Sequence, residues 1–222
     1  MDYFKFMFWF NLNRKNFYSL PKIGQAHMLH KYKHYNKAGD IYMELQEYDL
    51  AIHSFLDSKQ YDKIVHIYEE MGRVSNALEI AEQYKLYKLG AEICMKHENL
   101  VKAAYFYGFF DPLQAARLYK KSGRLYEAGL CYLNANKYAT ALTCFSKCEN
   151  ILQKNQGLCY LEEIAIVLYF KRQYEKAYEI FVGLNYFESA LICAYALDHD
   201  LLIGETADLI DNYTSKDDIF LY

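Results

Sequence analysis

The sequence predicts an all-α protein, a right-handed α-solenoid of short antiparallel helices stacked one upon the next. Three observations predict it. Tyr35, Tyr48, Tyr61, Val74, Tyr87, Leu100, Pro112, Leu125, Tyr138, Tyr174 and Phe187 follow one another by 13 residues, once by 12, with one long gap after Tyr138. Three positions after each anchor stands a residue that is small in every case but Ile64: Ala38, Ala51, Ala77, Gly90, Ala103, Ala115, Ala128, Ala141, Ala177 and Ala190. Seven positions after each stands a mostly aromatic residue: Tyr42, Phe55, Tyr68, Ala81, Cys94, Tyr107, Tyr119, Tyr132, Phe145, Phe181 and Ala194. A fixed period with small and aromatic residues in fixed slots is the mark of a repeat architecture.

The period also says what each unit is. Positions 0, +3, +4 and +7 share one face of a helix with 3.6 residues per turn. The small residue lets a neighbouring helix approach, and the aromatic fills the groove beside it. Gly72, Asp111, Gly123, Asn136, Asn185 and Asp198 stand at +11 and are good helix stops. Each unit is therefore a helix of about ten residues and a tight turn. Such a helix is too short to be stable alone in water, so stacking on both neighbours must hold it.

Composition agrees with this reading. Hydrophobic residues make up 53% of the 222, enough for a continuous core, and the two prolines leave the helices uninterrupted. The net charge of −3 is uneven: before Asp40 seven basic residues face Asp2 alone, so that stretch carries +6 and the remainder −9. No overall basic field favours nucleic acid. The six cysteines form no CxxC pair. Cys94, Cys131, Cys144 and Cys193 sit near the +6 or +7 slot, which reads as reduced, buried thiols in a cytoplasmic compartment.

In chain order, residues 1–20 form an aromatic and basic segment outside the repeat. Its longest apolar run, Phe6 to Phe10, is too short to span a bilayer, and a secretory cleavage pattern is missing. Three readings stay open for it: a strand or helix covering the first unit (or the remnant of a preceding domain), an organelle-targeting segment, or an aromatic–basic patch for a membrane surface or single-stranded nucleic acid. The solenoid is expected over 21–198. Pro21 to His34 reads as a leading helix with His27, His30 and His34 on one face, a weak metal-ligand candidate lacking a fourth ligand. Tyr35 to Asn150 keeps the beat. Near 151–172 it is interrupted by one longer helix, expected to be buried on most sides because Leu158, Leu161, Ile164, Val167, Leu168 and Phe170 are too dense for a stripe. Two regular units follow, and 199–222 reads as a capping helix with a C-terminal tail. Leu201, Leu202, Ala207, Leu209 and Ile210 form its apolar side, Glu205, Asp208 and Asp211 its polar face, and the ending IFLY is abrupt.

KAGDIYMELQEYDLAIHSF resembles the core of a tetratricopeptide repeat. Ala38, Gly39 and Tyr42 match the small, small and aromatic positions of that family's first helix, and Tyr48, Ala51 and Phe55 those of its second. EAGLCYLNANKYATALTCF repeats the match with Ala128, Gly129, Tyr132, Tyr138, Ala141 and Phe145. A helix pair here takes about 26 residues where that family takes 34, and the family's closing proline is missing. Short-helix arrays of this kind are similar to the α-solenoid segments of intraflagellar-transport, coatomer and clathrin-type coat proteins, and to helical arrays appended to some large helicase-like proteins. The resemblance implies a protein-interaction scaffold and carries over no catalytic residue. It leaves the concave face open, because counting pairs from Tyr35 makes the Leu125 helix a second helix, whereas its Ala128–Gly129 pair makes it a first.

No nucleotide-binding glycine loop and no nucleophile elbow occur. The acid pairs Glu69–Glu70 and Glu162–Glu163 diverge around a helix and read as solvated faces. Cys144 and Cys148 share a face and read as packed thiols. The expected function is a non-catalytic protein–protein interaction scaffold or adaptor, a component of a larger coat- or transport-type assembly, requiring no cofactor. The alternatives are a peptide- or nucleic-acid-binding regulatory module using the basic N-terminal region, or a fragment of a larger multidomain protein. The expected partner is a protein, without a transmembrane segment and with peripheral membrane contact through residues 1–20 left open.

Overall fold

The computed structural model describes residues 15–217. Most of the described residues are helical, more than twice the globular average, and no strand occurs among them. The fold is all-α and solenoid-like. The chain divides into two compact units between Glu98 and Asn99. The first contains α1 (Lys22–Lys31), α2 (Tyr35–Glu44), α3 (Tyr48–Asp57), α4 (Tyr61–Glu70), α5 (Val74–Gln83) and α6 (Tyr87–Lys96). The second contains α7 (Leu100–Tyr107), α8 (Pro112–Lys121), α9 (Leu125–Asn134), α10 (Tyr138–Ser146), α11 (Ile151–Phe170), α12 (Tyr174–Gly183), α13 (Phe187–Ala196) and α14 (Asp200–Asp217). Within each unit every helix packs on its neighbours in sequence. Among the described residues no helix is long and apolar enough to cross a membrane.

The turn explains the number 13. A ten-residue helix is followed by a C-cap residue, a residue with positive φ, and a third that opens the next helix. After α3, Ser58 is the C-cap, Lys59 has φ 57° and Gln60 is the next N-cap. The Lys59 N–H donates to the Leu56 carbonyl (3.1 Å) and the Gln60 N–H to the Phe55 carbonyl (2.9 Å), the paired bonds of a Schellman stop. The Gln60 carbonyl then accepts from the Ile64 N–H, starting α4. The same positive φ recurs at Lys33, Gln46, Gly72, Lys85, Glu98, Gly123, Asn136, Arg172, Asn185 and Asp198. Asp111, a sequence-predicted stop, is the exception, with φ −142°. There α7 is two residues shorter, and the Asp111 carboxylate accepts from the Gln114 N–H at 3.0 Å with Pro112 in the first turn. This turn is the source of the single 12-residue step.

Each unit has its own core. Ala26, Ala38, Ala51, Ile64 and Ala77 are fully buried in the first, and Ala103, Ala115, Ala128, Ala141, Ala177 and Ala190 in the second. At +7, Tyr42, Phe55, Phe145 and Phe181 are buried, whereas Tyr68, Tyr107, Tyr119 and Tyr132 are half-buried. In α4, α7 and α8 the +6 residue (Ile67, Phe106, Leu118) is buried in their stead. Phe55 lies over Gly39 and Phe145 over Gly129, so the small +4 residue is a seat for the aromatic of the next helix.

Alternate helices lie side by side and are tied at their edges. His30 meets Asp57 across α1 and α3, Lys63 meets Asp40 across α4 and α2 (2.6 Å), and Lys96 meets Glu69 across α6 and α4 (2.6 Å). In the second unit the Tyr178 hydroxyl lies 3.0 Å from that of buried Thr206, joining α12 to α14.

Three expectations need correction. His34 does not share a helix face with His27 and His30, because α1 ends at Lys31, Lys33 turns left-handed, and His34 becomes the N-cap of α2. The helix near 151–172 is not buried on most sides: its buried stripe is Gly157, Leu161, Ala165 and Leu168, and Ile151, Leu152, Ile166, Val167 and Phe170 are exposed. In the capping helix Thr206 is fully buried, while Leu201, Ala207 and Leu209 face outward. Of the aromatic N-terminal segment, residues 15–19 are helical and Phe17 joins the first core, while residues 1–14 lie outside the described residues. The side chains of 214–217 and the IFLY ending lie outside them as well.

Candidate functional site

The second unit presents an apolar face that its own core does not use. On α11, Ile166 and Phe170 lie off the buried stripe one turn apart, so they share a side, and exposed Val167 adjoins them. On α13, Ile192 and Tyr195 are one turn apart. Phe170 is 78% exposed, Tyr195 62%, and Ile192 55%, well beyond the scattered exposure of single apolar residues. Between the helices runs a groove of about 190 Å³ lined by Ile166, Tyr169, Phe170, Phe181, Ser189 and Ile192. The two helices are held at this spacing by the Tyr186 hydroxyl, which donates to Glu162 at 3.3 Å, and by Phe181 of α12 beneath. The Glu162 carboxylate beside it raises the Tyr186 pKa.

Of the residues expected to pack the repeat, the alanines with Tyr42, Phe55, Phe145 and Phe181 are buried, and Tyr68, Tyr107, Tyr119 and Tyr132 are half-buried. The histidines are redistributed. His27 lies 5.8 Å, ring to ring, from Tyr42, and His30 Nε2 lies 3.5 Å from the Asp57 carboxylate. His34 is half-buried, and burial, helped by Lys37, lowers its pKa. His53 of α3 joins His27 and His30 in its place, around a pocket of about 360 Å³ completed by Lys31, Tyr42 and Leu50. One signal in the sequence marks His53: it stands 26 residues after His27, the length of one helix pair, and so occupies the same slot. Among the described residues no three His, Cys, Asp or Glu side chains are grouped to hold a metal ion.

The thiols and acids do not converge either. All six cysteines are free; Cys94, Cys144 and Cys193 are buried, Cys131 and Cys148 half-buried, and Cys159 exposed. Burial raises the Cys131, Cys144 and Cys148 pKa values and pushes Cys193 to about 11, which keeps these thiols protonated and unreactive. Glu69 accepts a hydrogen bond from Lys96 that lowers its pKa, while Glu70 and Glu163 face outward. The arrangement supplies packing surfaces and charged edges. No protein-family model matches the chain, and no curated protein is similar to it in sequence.

Proposed function

We propose that this chain is a non-catalytic protein–protein interaction scaffold built from tetratricopeptide-like helical repeats, working in the cytoplasm as one component of a larger assembly. The observation that carries the reading is the apolar face of α11 and α13, with Phe170 exposed beside an apolar groove. Exposed aromatic and aliphatic side chains around a groove are what a protein interface uses as anchors. The groove runs between two alternate helices, which suits the apolar stripe of an amphipathic helix laid along it. Free thiols support the cytoplasmic placement.

The test is affinity purification of the tagged full chain from its native cells after mild crosslinking, beside a Phe170→Asp, Ile192→Asp variant. Both side chains already face water, so the helical circular dichroism should stay the same. A stoichiometric set of partners that the variant loses is the expected result. Partners retained in full by a folded variant would move the interface elsewhere, and a monodisperse monomer with no partner would reject the scaffold reading.

A further inference from the structure

The first unit holds a second candidate, the histidine-lined pocket of about 360 Å³ between α1, α2 and α3. Four of its six lining residues, His27, His30, Lys31 and His53, are cationic or become so on protonation. Lys31 and His53 take part in none of the ion pairs among the described residues. The carboxylate paired with the lining, Asp57, meets His30 at 3.5 Å with half of its side chain in water. Leu50 and the carbon atoms of the other lining side chains make much of the pocket's surface apolar.

We propose that this pocket binds an acidic side chain of a partner polypeptide, with an apolar neighbour of that side chain resting on Leu50. An ammonium group and imidazoles lining one pocket form the complement of an anion. The apolar side requires the ligand to carry more than bare charge. Single-stranded nucleic acid would supply the charge too, but its bases need exposed aromatic faces to stack on, and Tyr42 is only 2% exposed. An acidic residue beside an aliphatic one satisfies both sides. The inference rests on the reading of the chain as a partner-binding scaffold but not on the α11–α13 face, which lies in the other unit.

The test uses the full-length protein and a capped hexapeptide with two central glutamates flanked by leucines, followed through the imidazole proton signals. The glutamate peptide should shift the His27 and His53 signals, and its glutamine counterpart should not. Affinity should fall as salt is added. The titratable groups around the pocket are His27, His30 and Lys31 on α1, Tyr42 on α2, and His53 and Asp57 on α3. Lys31→Gln and His53→Gln, both at exposed positions, should each weaken binding about three- to fivefold, the scale of an exposed ion pair. His199→Gln, in the other unit, should not. The Phe170→Asp, Ile192→Asp variant should bind the peptide as the wild type does, which separates this site from the apolar face. Equal shifts with the glutamine peptide, no shift at pH 6 and low salt, or tighter binding of oligothymidylate at the same imidazoles would each overturn the proposal.

Discussion

Gly129 has no room for a methyl group, because a Cβ there would meet the ring of Phe145, itself fully buried. Gly129→Ala should therefore destabilise the protein. Overpacking a close contact costs about 1–3 kcal/mol, more than the roughly 1 kcal/mol that alanine gains over glycine in a helix. Gly204 on α14 is the control, since nothing lies within 4 Å of its Cβ position; Gly204→Ala should stabilise by about 0.5–1 kcal/mol. Ala51→Leu and Ala141→Leu, at fully buried sites, should behave like Gly129→Ala, and Glu70→Leu on an exposed surface should do little. Urea midpoints of the five variants decide this, and equal shifts at all five would mean that the close contacts do not bear on stability. The pairing of Gly129 with Phe145 was half legible: the glycine and the aromatic both stand in the repeat pattern, but their meeting across two helices depends on how the helices stack.

At the scale of the element, the left-handed turn residue sets the length of the unit. The sequence shows this where the residue is Gly72, Gly123, Asn136, Asn185 or Asp198, and hides it at Lys33, Gln46, Lys59, Lys85, Glu98 and Arg172. A non-glycine residue there carries about 1–2 kcal/mol of steric cost, tolerated because the Schellman bonds satisfy the helix end. Gly72→Ala should thus destabilise by about 1 kcal/mol, and Lys59→Gly should stabilise by less than about 1 kcal/mol once the entropy of glycine in the unfolded chain is counted. Thermal midpoints moving in the same direction for both would contradict the strain argument. His34 adds a pH signature to the α1–α2 turn. Burial lowers its pKa from the ordinary 6.5, so the unfolded chain takes up the proton more readily than the folded one. Its contribution is whole above pH 6.5 and is lost as pH falls below that value toward the folded pKa. His34→Asn should flatten the loss of stability between pH 7.5 and pH 5.5, as measured by urea unfolding; an unchanged slope would remove His34 from the account.

At the scale of the whole molecule, each unit packs its helices on their sequence neighbours and next neighbours, so packing within a unit is local along the chain. Folding pays little loop-closure entropy in such an arrangement, and refolding by stopped-flow fluorescence should lie in the microsecond-to-millisecond range of helical proteins; a main phase of seconds would argue for contacts more distant in sequence. The sequence by itself determined the class, the number 13 and the first residue of each repeat helix, because helix periodicity and helix stops act over a few residues. It did not determine which apolar residues were left outside. The excess of α11 looked like deep burial from its own composition, and became an exposed face because burial depends on what the neighbouring helices cover. Tertiary structure likewise brought His53 rather than His34 to His27 and His30, and divided an unbroken beat at Glu98. These outcomes turn on the spatial meeting of separate helices, which a local period does not encode.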